Sequence, residues 1–365
     1  MQIFIEKMKD PVEEQETEFV EVKGIGHPDS ICDSVCEECA KSLAATYRKR
    51  FGTVLHYNID KALLVAGASM SRFSDGKILS PVRLTIAGRV TERFGDKHID
   101  AKGIIRQAAE KYLARFKPAH FEVIVDVKSA AANLSVVSKK KKPVANDTSF
   151  GASHYPLSRT EKIALGVSHY INSDAFRKRF PVGQDTKVMA VRIKDKIELT
   201  LAIAFISHSI KDMSSYIRFK NAVIDDVIRK FHVNVLLNTL DDVRGDENSI
   251  YLTVSGLSAE MGDDGQVGRG NRYNGLITPS RSMSLEAVSG KNARHPGRSY
   301  QIAANLIAKK LVSASSVKSA EVRLVTNIGS PLEDPKVVSV KVDGAVSKSA
   351  VEKIVKGCIN SAINA

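Results

Sequence analysis

Three stretches of the 365-residue chain combine residue types suited to phosphate and metal chemistry. The first is Gly24-Ile-Gly26-His27-Pro28-Asp29-Ser30. A glycine-flanked turn entering a helix presents backbone N–H groups and a partial positive charge, which suits an anion. His27 can donate to a phosphate oxygen, and Asp29 is a hard oxygen ligand for Mg²⁺. Asp29 or Ser30 would serve equally well as a simple helix N-cap. The second stretch is Gly262-Asp263-Asp264-Gly265-Gln-Val-Gly268-Arg269-Gly270-Asn271. Its glycines allow close backbone approach, its carboxylates can hold a metal or an ammonium group, and Arg269 can grip phosphate bidentately. A purely structural turn is the alternative. The third is Ser289-Gly290-Lys291-Asn292 with His295 and Arg298, which could also be a solvated basic turn. Neither a G-x-x-x-x-G-K-[ST] nor a full G-x-G-x-x-G occurs at these sites.

A fourth feature is the trio Cys32, Cys36 and Cys39. Its spacing matches the cysteine triplet of some iron–sulfur enzymes, but it also lines one face of a helix. Free cysteine behaves as a small core hydrophobe. Ile31, Val35 and Leu43 fall near the same face, and Glu38 stands where cluster enzymes usually place an aromatic. We therefore read Ser30–Ser42 as a helix with its cysteines in the core. Four cysteines in all are too few for a disulfide framework.

The elements that must position these residues form a recurring mixed pattern. Strand-like runs at Lys61–Gly67, Val82–Gly88 and Phe121–Val127 flank a helical stretch at Ile99–Phe116. Ser158-Arg-Thr-Glu161 has capping-box spacing and opens a helix reaching about Tyr170. Lys187–Ile193 and Lys196–Ile206 read as strands joined by a turn at Lys194-Asp195. A helix at Met213–Phe231 and a strand at Val233–Leu240 follow. The last set has strands at Ile250–Val254, Glu321–Thr326 and Val337–Val342, with helices at Arg298–Val312 and Ser347–Ile363. This pattern predicts an α+β chain of three similar mixed units. Their approximate spans are 1–143, 144–249 and 250–365, with a boundary or loop marked by Lys139–Lys142 and Pro143. Ser255–Gly297 breaks the rhythm, holding eight of the 23 glycines. Its interspersed Leu257, Met261, Val267, Leu276, Ile277, Met283 and Leu285 predict an ordered active-site loop rather than disorder.

Composition narrows the classes. Hydrophobic residues at 43% and charged residues at 26% exclude wholesale disorder. A net charge of +13 points to acidic partners, such as nucleotides, polyphosphates or nucleic acid. No window approaches the ~20 apolar residues of a membrane span, and the N-terminal stretch lacks a signal-type apolar core, so a cytoplasmic location is expected.

At the level of words the sequence resembles the S-adenosylmethionine synthetases (methionine adenosyltransferases), the archaeal type above all. The matching strings are Lys23-Gly-Ile-Gly-His-Pro-Asp-Ser30, Ala145-Asn-Asp-Thr-Ser-Phe-Gly151, Tyr155-Pro-Leu-Ser158, Lys187-Val-Met189, Ser258-Ala-Glu-Met-Gly-Asp-Asp-Gly265, Val267-Gly-Arg-Gly-Asn-Arg272, Asn274-Gly-Leu-Ile-Thr-Pro279 and Ser289-Gly-Lys-Asn292. They run in family order from about Glu21 to Arg298. The resemblance implies attack of the methionine sulfur on C5′ of ATP, loss of the whole triphosphate, and its hydrolysis to pyrophosphate and phosphate. It implies His27, Lys187, Arg269 and Lys291 as catalytic residues. Together with Asp185, Asp263 and His295 they would bind ATP. Asp147 and Asp263 would face methionine, and Asp29, Glu21 and Asp60 would hold cations. It also implies Mg²⁺, two per site, with K⁺. The implied assembly is a homodimer or higher even oligomer, with pseudo-threefold subunits and active sites at the subunit interface. Nucleic acid is not an expected partner despite the positive charge. The chain departs from the family pattern at Ala66–Ser69, at Lys128–Asn133, and in a loop one residue shorter after Lys291.

Overall fold

The helix that follows the Gly-Ile-Gly-His turn runs Pro28–Phe51, nine residues beyond its expected end. His27 is its N-cap, Pro28 occupies the first turn where no N–H is needed, and Asp29 sits at the positive end of the dipole. Gly52 ends it in the left-handed conformation, φ 75°, after Arg48, Lys49 and Arg50 in the last turn. Its buried stripe is Ile31, Cys32, Val35, Cys36, Cys39, Leu43 and Tyr47. The polar residues between Ala44 and Phe51 hid this continuation from the periodicity.

The computed structural model describes residues 1–129, 143–268, 273–314 and 316–363. It is a mixed α and β chain in which each of three main sheets shares a core with two long helices, the second also with the short helix Asp174–Arg179. The first sheet centres on Tyr57–Val65, antiparallel to Val82–Val90, which pairs in parallel with Phe121–Ser129. That parallel pair requires a crossover, and Ala101–Leu113 supplies it, capped by Asp100 accepting from the Gly103 N–H at 2.9 Å. The helices Pro28–Phe51 and Ala101–Leu113 share one core with this sheet.

The second sheet places Thr17–Lys23 between Val182–Ile193 and the two-residue strand Leu276–Ile277. Val182–Ile193 and Lys196–Ile206 form the expected hairpin, turning at Lys194 with φ 54°. Asn234–Leu237 and Leu252–Thr253 both pair in parallel with Lys196–Ile206, each shorter than its expected strand. Helices Arg159–Ile171 and Met213–Phe231 cover this sheet, and the capping box of Ser158 and Glu161 is present on both sides. The third sheet joins Ser149–Tyr155, Ser319–Thr326, Val337–Asp343 and Gln2–Lys7 under helices Pro296–Ala314 and Lys348–Ile363.

The sheets do not follow consecutive thirds of the chain. Gln2–Lys7 lies parallel to Val337–Asp343, and Thr17–Lys23 joins the middle of the second sheet. Gly265–Gln266 extends the first sheet against Leu63–Leu64, while Leu276–Ile277 extends the second. The described parts of the glycine-rich loop are thus held to two sheets at once. The lysine run at 139–142, residues 130–133 and Arg269 lie outside the described residues. No described helix is long and apolar enough to cross a membrane.

The cysteine trio lies in the core, with Cys39 Sγ 3.4 Å from the Ile105 carbonyl oxygen. Burial pushes the Cys39 thiol up to about 12 and those of Cys32 and Cys36 well above their ordinary range. The thiolate is the reacting form. Native protein should therefore leave all three unlabelled by a small aromatic disulfide, with full labelling in denaturant. Fast labelling of any of the three in the native state would contradict the core assignment.

Candidate active site

The glycine turn docks on the strand carrying Asp185 and Lys187. The Gly24 N–H donates to the Thr186 oxygen at 2.7 Å and the Gly26 N–H to the Gln184 oxygen at 2.9 Å. A Cβ at Gly26 would sit 2.6 Å from the Gln184 carbonyl carbon, so only glycine allows this approach. His27 is thereby placed beside the strand, 9% exposed, with Nδ1 accepting from the Asp29 N–H at 3.2 Å. That bond leaves the proton on Nε2, which can donate. Burial, with Lys23 nearby, lowers the His27 pKa to about 4, so the ring is neutral at pH 7.

Lys23 and Lys187 are direct cross-strand partners. Glu21 separates their charges, 3.6 Å from Lys23 Nζ and 3.1 Å from Lys187 Nζ. Lys23 also reaches Asp29 at 2.5 Å, and the other Asp29 oxygen accepts the Gln266 N–H at 2.9 Å. Burial works against the Asp29 charge, but Lys23 and this amide outweigh it and hold the carboxyl below its ordinary range. Asp185 is buried and accepts from the Ser258 N–H at 2.7 Å and from the Ser258 hydroxyl. Ser258 Oγ also lies 2.9 Å from Asp263 Oδ2, so one hydroxyl is shared by two carboxyl groups. Burial dominates at Asp185, with Asp263 adding to it, and pushes its pKa up to about 7 against the Ser258 hydrogen bonds. Glu260 is fully engaged, accepting from the Ser69 hydroxyl at 3.0 Å and the Ser255 N–H at 2.7 Å. Ser69, the last residue of the Ala66–Ser69 departure from the family pattern, thus anchors its strand, Ala68–Arg72, to the loop.

A second group gathers around Lys291, whose side chain is 2% exposed. Its ammonium lies 3.3 Å from Asp60 and 3.2 Å from Glu286. His295 Nε2 stands 3.2 Å from Asp147 and 3.8 Å from Glu286, while its Nδ1 accepts the Gly297 N–H at 3.1 Å. A bond from His295, against partial burial, keeps the Asp147 carboxyl below its ordinary range. At Asp60 burial opposes the charge, but Lys291 and Lys61 prevail and the pKa is lowered. This group opens into a cleft of about 340 Å³ lined by Asp60, Lys61, Thr85, Gln266, Glu286 and Lys291, among others. The segment Gly265–Gly268 joins the two groups: Gln266 reaches Asp29, Val267 the Ala62 oxygen and Gly268 the Asp33 carboxylate.

Donor atoms of Asp60, Glu286 and His295 lie within 4.8 Å of one another, and this is the one carboxylate–histidine cluster of that kind among the described residues. With Nδ1 accepting, His295 presents an N–H rather than a lone pair at Nε2. A cation placed here would meet carboxylate oxygens, the donor class that hard divalent cations use. Asp60 and Glu286 share the buried Lys291 ammonium, and Asp60 also pairs with the exposed Lys61 at 2.6 Å.

Of the residues singled out above, His27, Asp29, Glu21 and Lys187 meet at the helix N-terminus, with Asp185 and Asp263 joined through Ser258. Asp60, Lys291, His295 and Asp147 form the second group. Arg298 faces away from both, towards Glu37. Sequence reasoning had not singled out Glu286, Ser258 or Lys23 as site residues. Lys23 carries a readable signal, since it alternates with Glu21 on one face of a period-2 strand. Glu286 has none beyond a carboxylate shortly before Ser289-Gly-Lys.

The lowered His27 pKa carries a stability signature. The folded state favours the neutral ring, so the contribution is full above the unfolded value of 6.5 and is lost as pH falls through about 4. Relative to His27→Asn, wild type should lose about 2 kcal/mol more between pH 7 and pH 4.5 in chemical denaturation. Parallel pH profiles for the two proteins would refute the buried, neutral ring.

The family profile for S-adenosylmethionine synthetase (AdoMet synthetase) matches residues 1–365. The S-adenosylmethionine synthase of Methanocaldococcus jannaschii is 40% identical over 366 residues, covering 93% of this chain and 89% of that protein. The enzyme of Thermoplasma volcanium is 41% identical over 368 residues, covering 96% and 92%. A probable S-adenosylmethionine synthase of Aquifex aeolicus is 40% identical, covering 95% and 91%. In fold, the chain is similar to an unusual S-adenosylmethionine synthetase from Campylobacter jejuni, with a TM-score of 0.61 over 95% of this chain and 89% of that one, at 13% identity. A profile match over the whole chain and relatives of this similarity lead to one conclusion: the chain belongs to the S-adenosylmethionine synthetase family.

Proposed function

We propose that the chain is a methionine adenosyltransferase, forming S-adenosylmethionine from ATP and L-methionine with release of pyrophosphate and phosphate. The observation that carries this is the placement of Lys23, Lys187 and Lys291, each held against carboxylates, on either side of Gly265–Gly268. A neutral thioether is a weak nucleophile, so the rate must come from alignment and from stabilising charge on the departing triphosphate. Fixed cations close to the phosphates do that without a covalent step.

In this reading the His27 Nε2–H donates to the triphosphate near the breaking C5′–O bond. Lys187, Lys291 and Arg269 neutralise phosphate oxygens, and His295 donates its Nε2–H alongside them. Asp185 and Ser258 meet the ribose hydroxyls. Asp147 and Asp263 face the methionine amino group or the forming sulfonium. Asp29 and the Asp60–Glu286 pair would hold Mg²⁺, which supplies charge neutralisation on the polyphosphate and needs few protein ligands when phosphates provide the rest. Glu21, paired with two lysines, acts as their counter-charge more than as a cation ligand. K⁺ is part of the same proposal, as is a cytoplasmic setting.

Assembly follows the same line. Leu63 and Val65 are 51% and 44% exposed on the sheet face away from the helices, and Ile124 is 36% exposed on a neighbouring strand. Lys61 shares that face, and Leu63 lines the cleft. We read this face as the homodimer contact, with the cleft completed by the second subunit. The three sheet-and-helix-pair units are read as the pseudo-threefold subunit of the family.

The direct test is purified protein with ATP, methionine and Mg²⁺, with S-adenosylmethionine and phosphate measured separately. One phosphate per product is expected, as is loss of synthesis in excess chelator. Asp29→Asn should abolish synthesis while the thermal midpoint stays within a few degrees. Phosphate release without product would overturn the proposed function. Full synthesis by Asp29→Asn would remove Asp29 from the cation site.

A further inference from the structure

Glu37 lies on helix Pro28–Phe51, two turns beyond the glycine motif, and matches none of the strings that define the family resemblance. Its carboxylate receives both terminal nitrogens of Arg298, at 2.8 and 3.0 Å. The same carboxylate accepts the Gly290 N–H at 3.3 Å. Arg298 in turn donates to the Val288 oxygen at 3.3 Å, the oxygen that also accepts the Lys291 N–H at 3.3 Å. The turn Val288–Lys291 is thus gripped at its first residue by Arg298 and at its third by Glu37. On its other side the Gly290 oxygen accepts the Ile59 N–H at 2.8 Å. Gly290 has φ 75°, and a Cβ there would lie 1.8 Å from the Ile59 oxygen. The turn has no room to settle elsewhere against that strand.

From this geometry we propose that Glu37 and Arg298 are positioning residues that set the turn bearing Lys291. Neither reaches the site itself. They hold the backbone on each side of the lysine, so that its ammonium stands between Asp60 and Glu286. A bidentate guanidinium–carboxylate pair fixes orientation as well as distance, which a lysine at position 298 would not reproduce. Both side chains are about a quarter exposed, 21% for Glu37 and 26% for Arg298, so neutral replacements are compatible with folding.

The inference rests on the proposed function, because its readout is the synthesis step that Lys291 serves. The experiment is single-turnover synthesis and equilibrium ATP binding for wild type, Glu37→Gln, Arg298→Lys, Lys291→Ala and the double variants with Lys291→Ala. Displacing a catalytic group by a fraction of an ångström to an ångström costs roughly 10- to 100-fold in rate. Glu37→Gln and Arg298→Lys should each slow synthesis by that factor while ATP affinity changes less than threefold. Added to Lys291→Ala, either change should have no further effect, since the group it positions is gone. A purely structural pair would lower the thermal midpoint and multiply its rate effect onto that of Lys291→Ala. Unchanged synthesis in both single variants, or multiplicative losses in the doubles, overturns the positioning role. Absence of synthesis in wild type would instead overturn the function on which it stands.

Discussion

Two ammonium groups face each other across neighbouring strands, and the arrangement stands because Glu21 lies between them. Lys23 and Lys187 occupy one cross-strand pair, a position where like charges repel. Glu21, two residues along the same face, touches both, and Asp29 takes the remaining side of Lys23. On the proposed function this site takes a polyanion, and it must keep its cations in place when the polyanion is away. Carboxylates do this at little structural cost, and they yield when phosphate oxygens arrive with their own negative charge.

The same device recurs around Lys291, deeper in the fold. Its ammonium is almost fully buried, and such a charge persists only with partners. Asp60 comes from the first sheet and Glu286 from the glycine-rich loop, so the ion pair also joins those two parts of the chain. The loop is further bound by its two short strands, by Ser258 bridging Asp185 and Asp263, and by Glu260. On the proposed function such anchoring matters, because a donor that is already aimed needs no reorganisation as charge develops on the leaving group.

Much of this was legible before any coordinates. The helix behind His27, the capping box at Ser158 and the hairpin turning at Lys194 all follow from local rules of spacing and capping. Thr17–Lys23 was not legible as a strand, because Glu18 occupies its buried face while Phe19 faces out, and its role as a central strand depends on pairing with residues some 170 positions away. Ser149–Tyr155 was not legible, because its mostly small and polar residues are buried by pairing with Ser319–Thr326 and packing against helix Pro296–Ala314 rather than by an apolar pattern of their own. In the site, residue types pointed to His27, Asp29, Lys187 and Lys291. Their partners Glu286, Ser258 and Glu37 were hidden, because a carboxylate or hydroxyl becomes a partner only through long-range placement. The parallel pairing of Gln2–Lys7 with Val337–Asp343 lies beyond any local signal for the same reason.

The central claim is that the carboxylate-held cations act on the departing triphosphate more than on bound ATP. Lys187 offers the cleanest handle, since its side chain is 43% exposed and its removal leaves Glu21 still paired with Lys23. The measurement is Lys187→Ala against wild type, comparing the single-turnover rate of S-adenosylmethionine formation with equilibrium ATP affinity. Loss of one such donor predicts a rate lower by about 10²–10³-fold with a far smaller change in affinity. Equal losses in rate and affinity, or an unchanged rate, would contradict the account.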